Sequence, residues 1–87
     1  MDKVQVHNKR LDVWLVVDNG NVYFANTMVK LPTNSREADG ALWYVEKRMG
    51  EIWAKMQQID PIWGDMAQYH EYEQQWLRLR KALYGNV

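Results

Sequence analysis

Between two runs of alternating apolar residues lies Asp18-Asn19-Gly20-Asn21, and this tetrapeptide constrains the fold more than any other stretch of the chain. Asn-Gly at the centre of a two-residue connection adopts the φ > 0 conformations of a type I′ turn, whose twist matches that of paired strands. The turn sets a register in which Val17 faces Val22, Leu15 faces Phe24, Val13 faces Asn26 and Leu11 faces Met28, an apolar row on one face of the ribbon. The opposite face pairs Val16 with Tyr23 and Trp14 with Ala25. Strands are expected over about 11–17 and 22–30. Val4-Gln5-Val6 begins a third, over about 4–7, with a turn around His7-Asn8-Lys9-Arg10. A lone hairpin is not stable in water, so the ribbon needs a second layer.

That layer is helical. After Pro32 and Thr33, Asn34 with Glu37 three residues later suits a capping box, with Ser35 or Asp39 as alternative starts. Ala38, Leu42, Val45, Met49, Ile52, Met56 and Ile59 then follow at spacings of 4-3-4-3-4-3, one continuous face of a helix over about 36–59. Gly50 interrupts it at a cost of about 1 kcal/mol relative to alanine, which is either tolerated or repaid by close approach of a neighbour. Asp60-Pro61 ends the helix, because proline lacks the backbone donor and pushes the preceding residue out of the α region. A second helix is expected over about 61–84, capped by Asp60 or, in a later start, by Asp65 with Gln68. Its stripe is Met66, Tyr69, Tyr72, Trp76, Leu79 and Leu83, and Gly85 suits a left-handed stop. The fold class is therefore α+β: an antiparallel hairpin or three-stranded meander followed by an antiparallel helical hairpin, a single domain over 1–87.

Composition narrows the functional classes. Eleven basic and eleven acidic residues cancel, which argues against binding nucleic acid or anionic membrane through bulk charge. The absence of cysteine removes disulfides, thiolate nucleophiles and Cys-ligated zinc. No run approaches the ~18 apolar residues of a membrane helix, and Met1-Asp2-Lys3 does not open a signal peptide, so a cytoplasmic location is expected.

Catalytic patterns are weak. His7 and His70 are the only histidines, and His70 shares a helix face only with Glu73, half of a metal-ligand pair in reversed order. Ser35 is the only serine and belongs to a helix start, and the glycines never gather into a phosphate-cradling loop. No catalytic residue, metal ligand or cofactor is assigned, and the chain is read as non-enzymatic.

Aromatic content points elsewhere. Five Trp, five Tyr and one Phe exceed what 87 residues readily enclose, since each such ring buries about 150–250 Å² when covered. If Leu11, Val13, Leu15, Val17, Val22, Phe24 and Met28 face the helices, Trp14, Val16 and Tyr23 are left on the open side of the sheet. Trp43 and Tyr44 lie off the helical seam, and Trp63 sits in the interhelix connection. Trp, Tyr and Met are enriched where protein interfaces derive their energy. These six residues are the expected partner-binding set for a small adaptor, inhibitor or regulator, a type common among phage and mobile-element proteins. The partner is a second copy in a homodimer or a different protein. The alternative is a small dimeric nucleic-acid-binding regulator using Arg78, Arg80 and Lys81 at the end of helix 2, with Lys9 and Arg10. Cations beside Trp76 and Tyr84 resemble the mixture that tracks phosphates and stacks bases, although Arg78 and Arg80 diverge around the helix.

Overall fold

A computed structural model describes residues 3–85 as a three-stranded antiparallel sheet followed by two helices, the α+β order expected. Strand β1 (Val4–Asn8) pairs with β2 (Val13–Asp18), which pairs with β3 (Asn21–Phe24). The register is the one the turn dictates: Val17 opposite Val22, Val16 opposite Tyr23 and Leu15 opposite Phe24. Asn19 and Gly20 have φ of 52° and 79°, both positive as a type I′ turn requires. On the other side Val6 faces Leu15 and His7 faces Trp14.

The strands differ from expectation at their ends. β2 starts at Val13, because Asp12 takes a left-handed φ of 51° in the turn that joins it to β1. Leu11 therefore lies in that turn, exposed, its amide donating to Asn8 Oδ1 at 2.9 Å. β3 ends at Phe24 rather than continuing to residue 30. There the chain reverses: the Met28 amide donates to the Phe24 carbonyl at 2.7 Å, and Met28 itself has a φ of 57°. The returning segment lies along β3, with Phe24 N–H bonded to the Val29 carbonyl and Leu31 N–H to the Val22 carbonyl. Met28 is consequently exposed, and Leu31 is buried in its place.

Helix α1 (Arg36–Gln57) begins at Ser35, whose hydroxyl accepts from the Ala38 amide at 3.3 Å. Of the expected seam, Ala38, Val45, Ile52 and Met56 are buried, while Leu42 and Met49 pack at its margin. Helix α2 (Met66–Tyr84) takes the later start: Asp65 accepts from the Gln68 amide at 3.2 Å. Residues 61–64 remain outside it, because the Asp60 carboxylate folds them into a turn. Leu79 and Ala82 are buried, with Tyr69, Tyr72, Trp76 and Leu83 packed against the same core.

The core lies between one face of the sheet and the two helices, built on Leu15, Val17, Val22 and Val45. The end of α2 is held at the β2–β3 turn, where the Gly20 amide donates to the Ala82 carbonyl at 2.8 Å. That bond satisfies one of the carbonyls that a helix end leaves without a partner. At 46 × 26 × 21 Å the molecule is elongated, and the interhelix connection forms a tip of its own.

Candidate functional site

The rings singled out in the sequence fall in three places. On the face of the sheet turned away from the helices, strand alternation puts His7 beside Trp14. Their rings lie 5.0 Å apart, tilted by 51°, and His7 Nε2 is 3.1 Å from Asp12 Oδ1. Even so, Trp14 is 54% exposed. Tyr23, on the same face, is half-buried. Val16 corrects an expectation: it is only 5% exposed and offers no surface to a partner. It occupies the middle of the central strand, flanked by Gln5 and Tyr23 across both ladders, so neighbours on either side cover a side chain that a two-stranded ribbon would have left open.

The second place is the first half of α1. Trp43 is 62% exposed, with Lys47 Nζ 5.4 Å from its ring centre, a favourable cation–π arrangement. Tyr44, one position on, turns toward β1. Both rings line an open hollow closed on its other side by Lys9 and Arg10 of the β1–β2 turn. Here the structure brings together residues assigned to two different readings, the interface rings and two of the alternative cations.

The third is the tip between the helices. Trp63 is 87% exposed and Ile62 is 77% exposed, yet the backbone beneath them is firmly shaped. Asp60 Oδ1 accepts from the amides of Ile62 at 2.7 Å and Trp63 at 3.0 Å, and the Gly64 amide donates to the Asp60 carbonyl at 2.8 Å. A Cβ on Gly64 would fall 2.7 Å from Ile59 Cγ2 and also overlap the Asp60 carbonyl, so only glycine closes the turn this tightly. The two amides hold the Asp60 carboxyl below the ordinary aspartate range. A folded-state pKa below the unfolded value stabilises the turn above the unfolded pKa, and that contribution fades as pH falls through the lowered value. In an acid titration followed by NMR, the Ile62 and Trp63 amide shifts are expected to move together, with a midpoint below that of an ordinary aspartate. Asp60→Ala removes that step.

The remaining alternative cations do not assemble. Arg78 lies in a hollow with Lys3 and Arg48 beside β1, whereas Arg80 stacks on Trp76 at 5.9 Å. Lys81 lies in the last turn of α2. His70 Nδ1 stands 3.6 Å from Glu73 Oε1, on the shared face expected, and both side chains are open to solvent. Among the described residues no group of three potential metal-ligating side chains gathers, and no helix is long and apolar enough to cross a membrane.

Ile62 and Trp53 are exposed positions that escaped sequence reasoning. Ile62 follows a proline in a short loop, where no periodicity flags a side chain. Trp53 is about half exposed, 5.7 Å ring to ring from Trp76, beside Met49 and Tyr84 in the groove between the helices. A signal for Trp53 existed: folding the helical hairpin about residues 60–64 places it opposite the Tyr72–Trp76 turn of α2.

Comparison with protein-family models, with curated proteins and with solved structures finds no match to this chain.

Proposed function

We propose that this chain is a non-enzymatic protein–protein interaction module, an adaptor, inhibitor or regulator that acts in the cytoplasm by covering part of a partner or of its own copy. The observation that carries the reading is the exposure of Trp14, Trp43, Tyr44 and Trp63 at three separated places, although the core closes without them. Large rings left in water are a standing cost that burial against another surface removes, at roughly 25 cal/mol per Å².

Trp63 is the strongest anchor. It projects from a turn already braced by Asp60, so little ordering cost remains when it enters a pocket. Ile62 adds an adjacent apolar contact, and Arg10 and Lys47 set orientation more than affinity.

Affinity capture from the native lysate, paired with light scattering of the purified chain, tests the proposal. Trp63→Ala is expected to reduce the retained partner, or the dimer fraction, by about tenfold or more, which is the loss of one interface anchor. Unchanged retention by Trp63→Ala and Trp14→Ala would overturn it. The alternative, a dimeric nucleic-acid-binding regulator, draws on Lys9, Arg10 and Lys47 standing around Trp43 and Tyr44. Binding to random DNA that falls steeply with salt supports that alternative, and no binding at low salt removes it.

A further inference from the structure

We infer that the free edge of β1 is a docking site for an extended acidic segment of another protein, which adds to the sheet as a fourth strand. This rests on the interaction-module reading and names the chemistry of its partner.

The two edges of the sheet are not equivalent. β3 is covered by the returning 29–31 segment through the Phe24–Val29 and Leu31–Val22 bonds. β1 ends the strand order, with no further strand paired to its outer side among the described residues. The orientation of its backbone follows from the ladder. The Ala25 amide donates to the Trp14 carbonyl at 3.0 Å, so Trp14 and Val16 direct their polar backbone groups toward β3. Alternation then directs those of Val13, Leu15 and Val17 toward β1, where they meet Asn8, Val6 and Val4. Gln5 and His7 are left with N–H and C=O groups aimed outward, two residues apart. An extended peptide satisfies that arrangement, because each residue it presents supplies both a donor and an acceptor. A phosphate backbone supplies acceptors only and leaves the outward carbonyls unmet.

Charge selects the kind of peptide. At one end of β1, Lys9 and Arg10 border the hollow floored by Trp43 and Tyr44. At the other end, Lys3, Arg48 and Arg78 border a second hollow. Among the described residues neither is lined by an aspartate or glutamate, in a chain whose charges otherwise balance. Among the described residues none of these five cations forms an ion pair, and the nearby Asp12 is engaged by His7 on the open face of the sheet. The charged ends are separated by the length of β1, about 17 Å at ~3.3 Å per residue, which fits a segment of roughly five or six residues with carboxylates toward both ends.

The test uses the full chain and a fluorescein-labelled octapeptide of alternating valine and threonine flanked by paired glutamates, read by anisotropy. The acidic peptide is expected to bind, and its lysine counterpart to bind about tenfold more weakly or worse. N-methylation at alternate peptide residues is expected to abolish binding in one register and preserve it in the other. Arg10→Glu and Arg48→Glu, both at exposed positions, are expected to weaken binding about fivefold or more while leaving the circular dichroism unchanged. Equal binding by both N-methylated registers would overturn the inference, as would tighter binding of an oligothymidylate than of the peptide. Failure to bind the peptide while capture still depends on Trp63 would sink this inference alone and leave the interaction module standing.

Discussion

Replacing Leu15 by alanine is expected to lower the free energy of unfolding by about 2–5 kcal/mol, the range for large-to-small substitutions at closed core positions. Leu15 is 1% exposed, in the central strand, between Val6 and Phe24, on the face that meets Val45 and the other buried residues of the helices. A chain of this length holds in total roughly 4–13 kcal/mol of stability, at 0.05–0.15 kcal/mol per residue. The variant should therefore unfold at a much lower urea concentration, with the slope of the transition unchanged. A loss below about 0.5 kcal/mol, the size of a surface effect, would mean that the face is not closed by the helices.

The second large effect is expected at Gly20. An alanine there must hold a left-handed φ of 79°, and its Cβ would stand 2.9 Å from the Leu83 carbonyl oxygen. That oxygen belongs to backbone, so the turn and the end of α2 must part. Parting breaks the Gly20–Ala82 hydrogen bond, and Ala82 is fully buried. The left-handed backbone costs about 1 kcal/mol and the overlap about 1–3 kcal/mol more. Hydrogen exchange should locate the damage: amides in the last turns of α2 are expected to lose protection ahead of those in α1. Equal loss in both helices would contradict the idea that Gly20 acts as a local clasp.

How much of this was legible in the residues depended on whether a local rule spoke for them. Asn19-Gly20 names its own turn, so the register of β2 and β3 followed from that pair alone. The seam from Ala38 to Met56 and the stop at Asp60-Pro61 follow from equally local rules. β3 is shorter than the alternation predicts because the reversal at residues 25–28 rests on Met28 in a left-handed conformation, and methionine is no marker of a turn. Leu11 and Met28 then left the core, and Leu31 entered it. Val16 departs from expectation for a different reason: alternation gives its face but not its cover, and the cover comes from neighbours on both sides. Trp14, Trp43 and Trp63 were legible as rings off every seam. Trp53 is off the seam as well, but its place in the groove emerges only once the two helices are folded against each other, and the exposure of Ile62 depends on the turn that Asp60 imposes.

The central claim is that these exposed rings are surplus to the chain's own fold, and urea denaturation of the triple variant Trp14→Ala, Trp43→Ala, Trp63→Ala tests it most directly. The account predicts a loss of about 1.5 kcal/mol or less, the largest share from the Trp14–His7 cross-strand pair, since substitutions at exposed positions seldom exceed about 0.5 kcal/mol each. A loss of about 3 kcal/mol or more, the scale of removing a buried ring, would show that the tryptophans hold this chain together and would contradict the account.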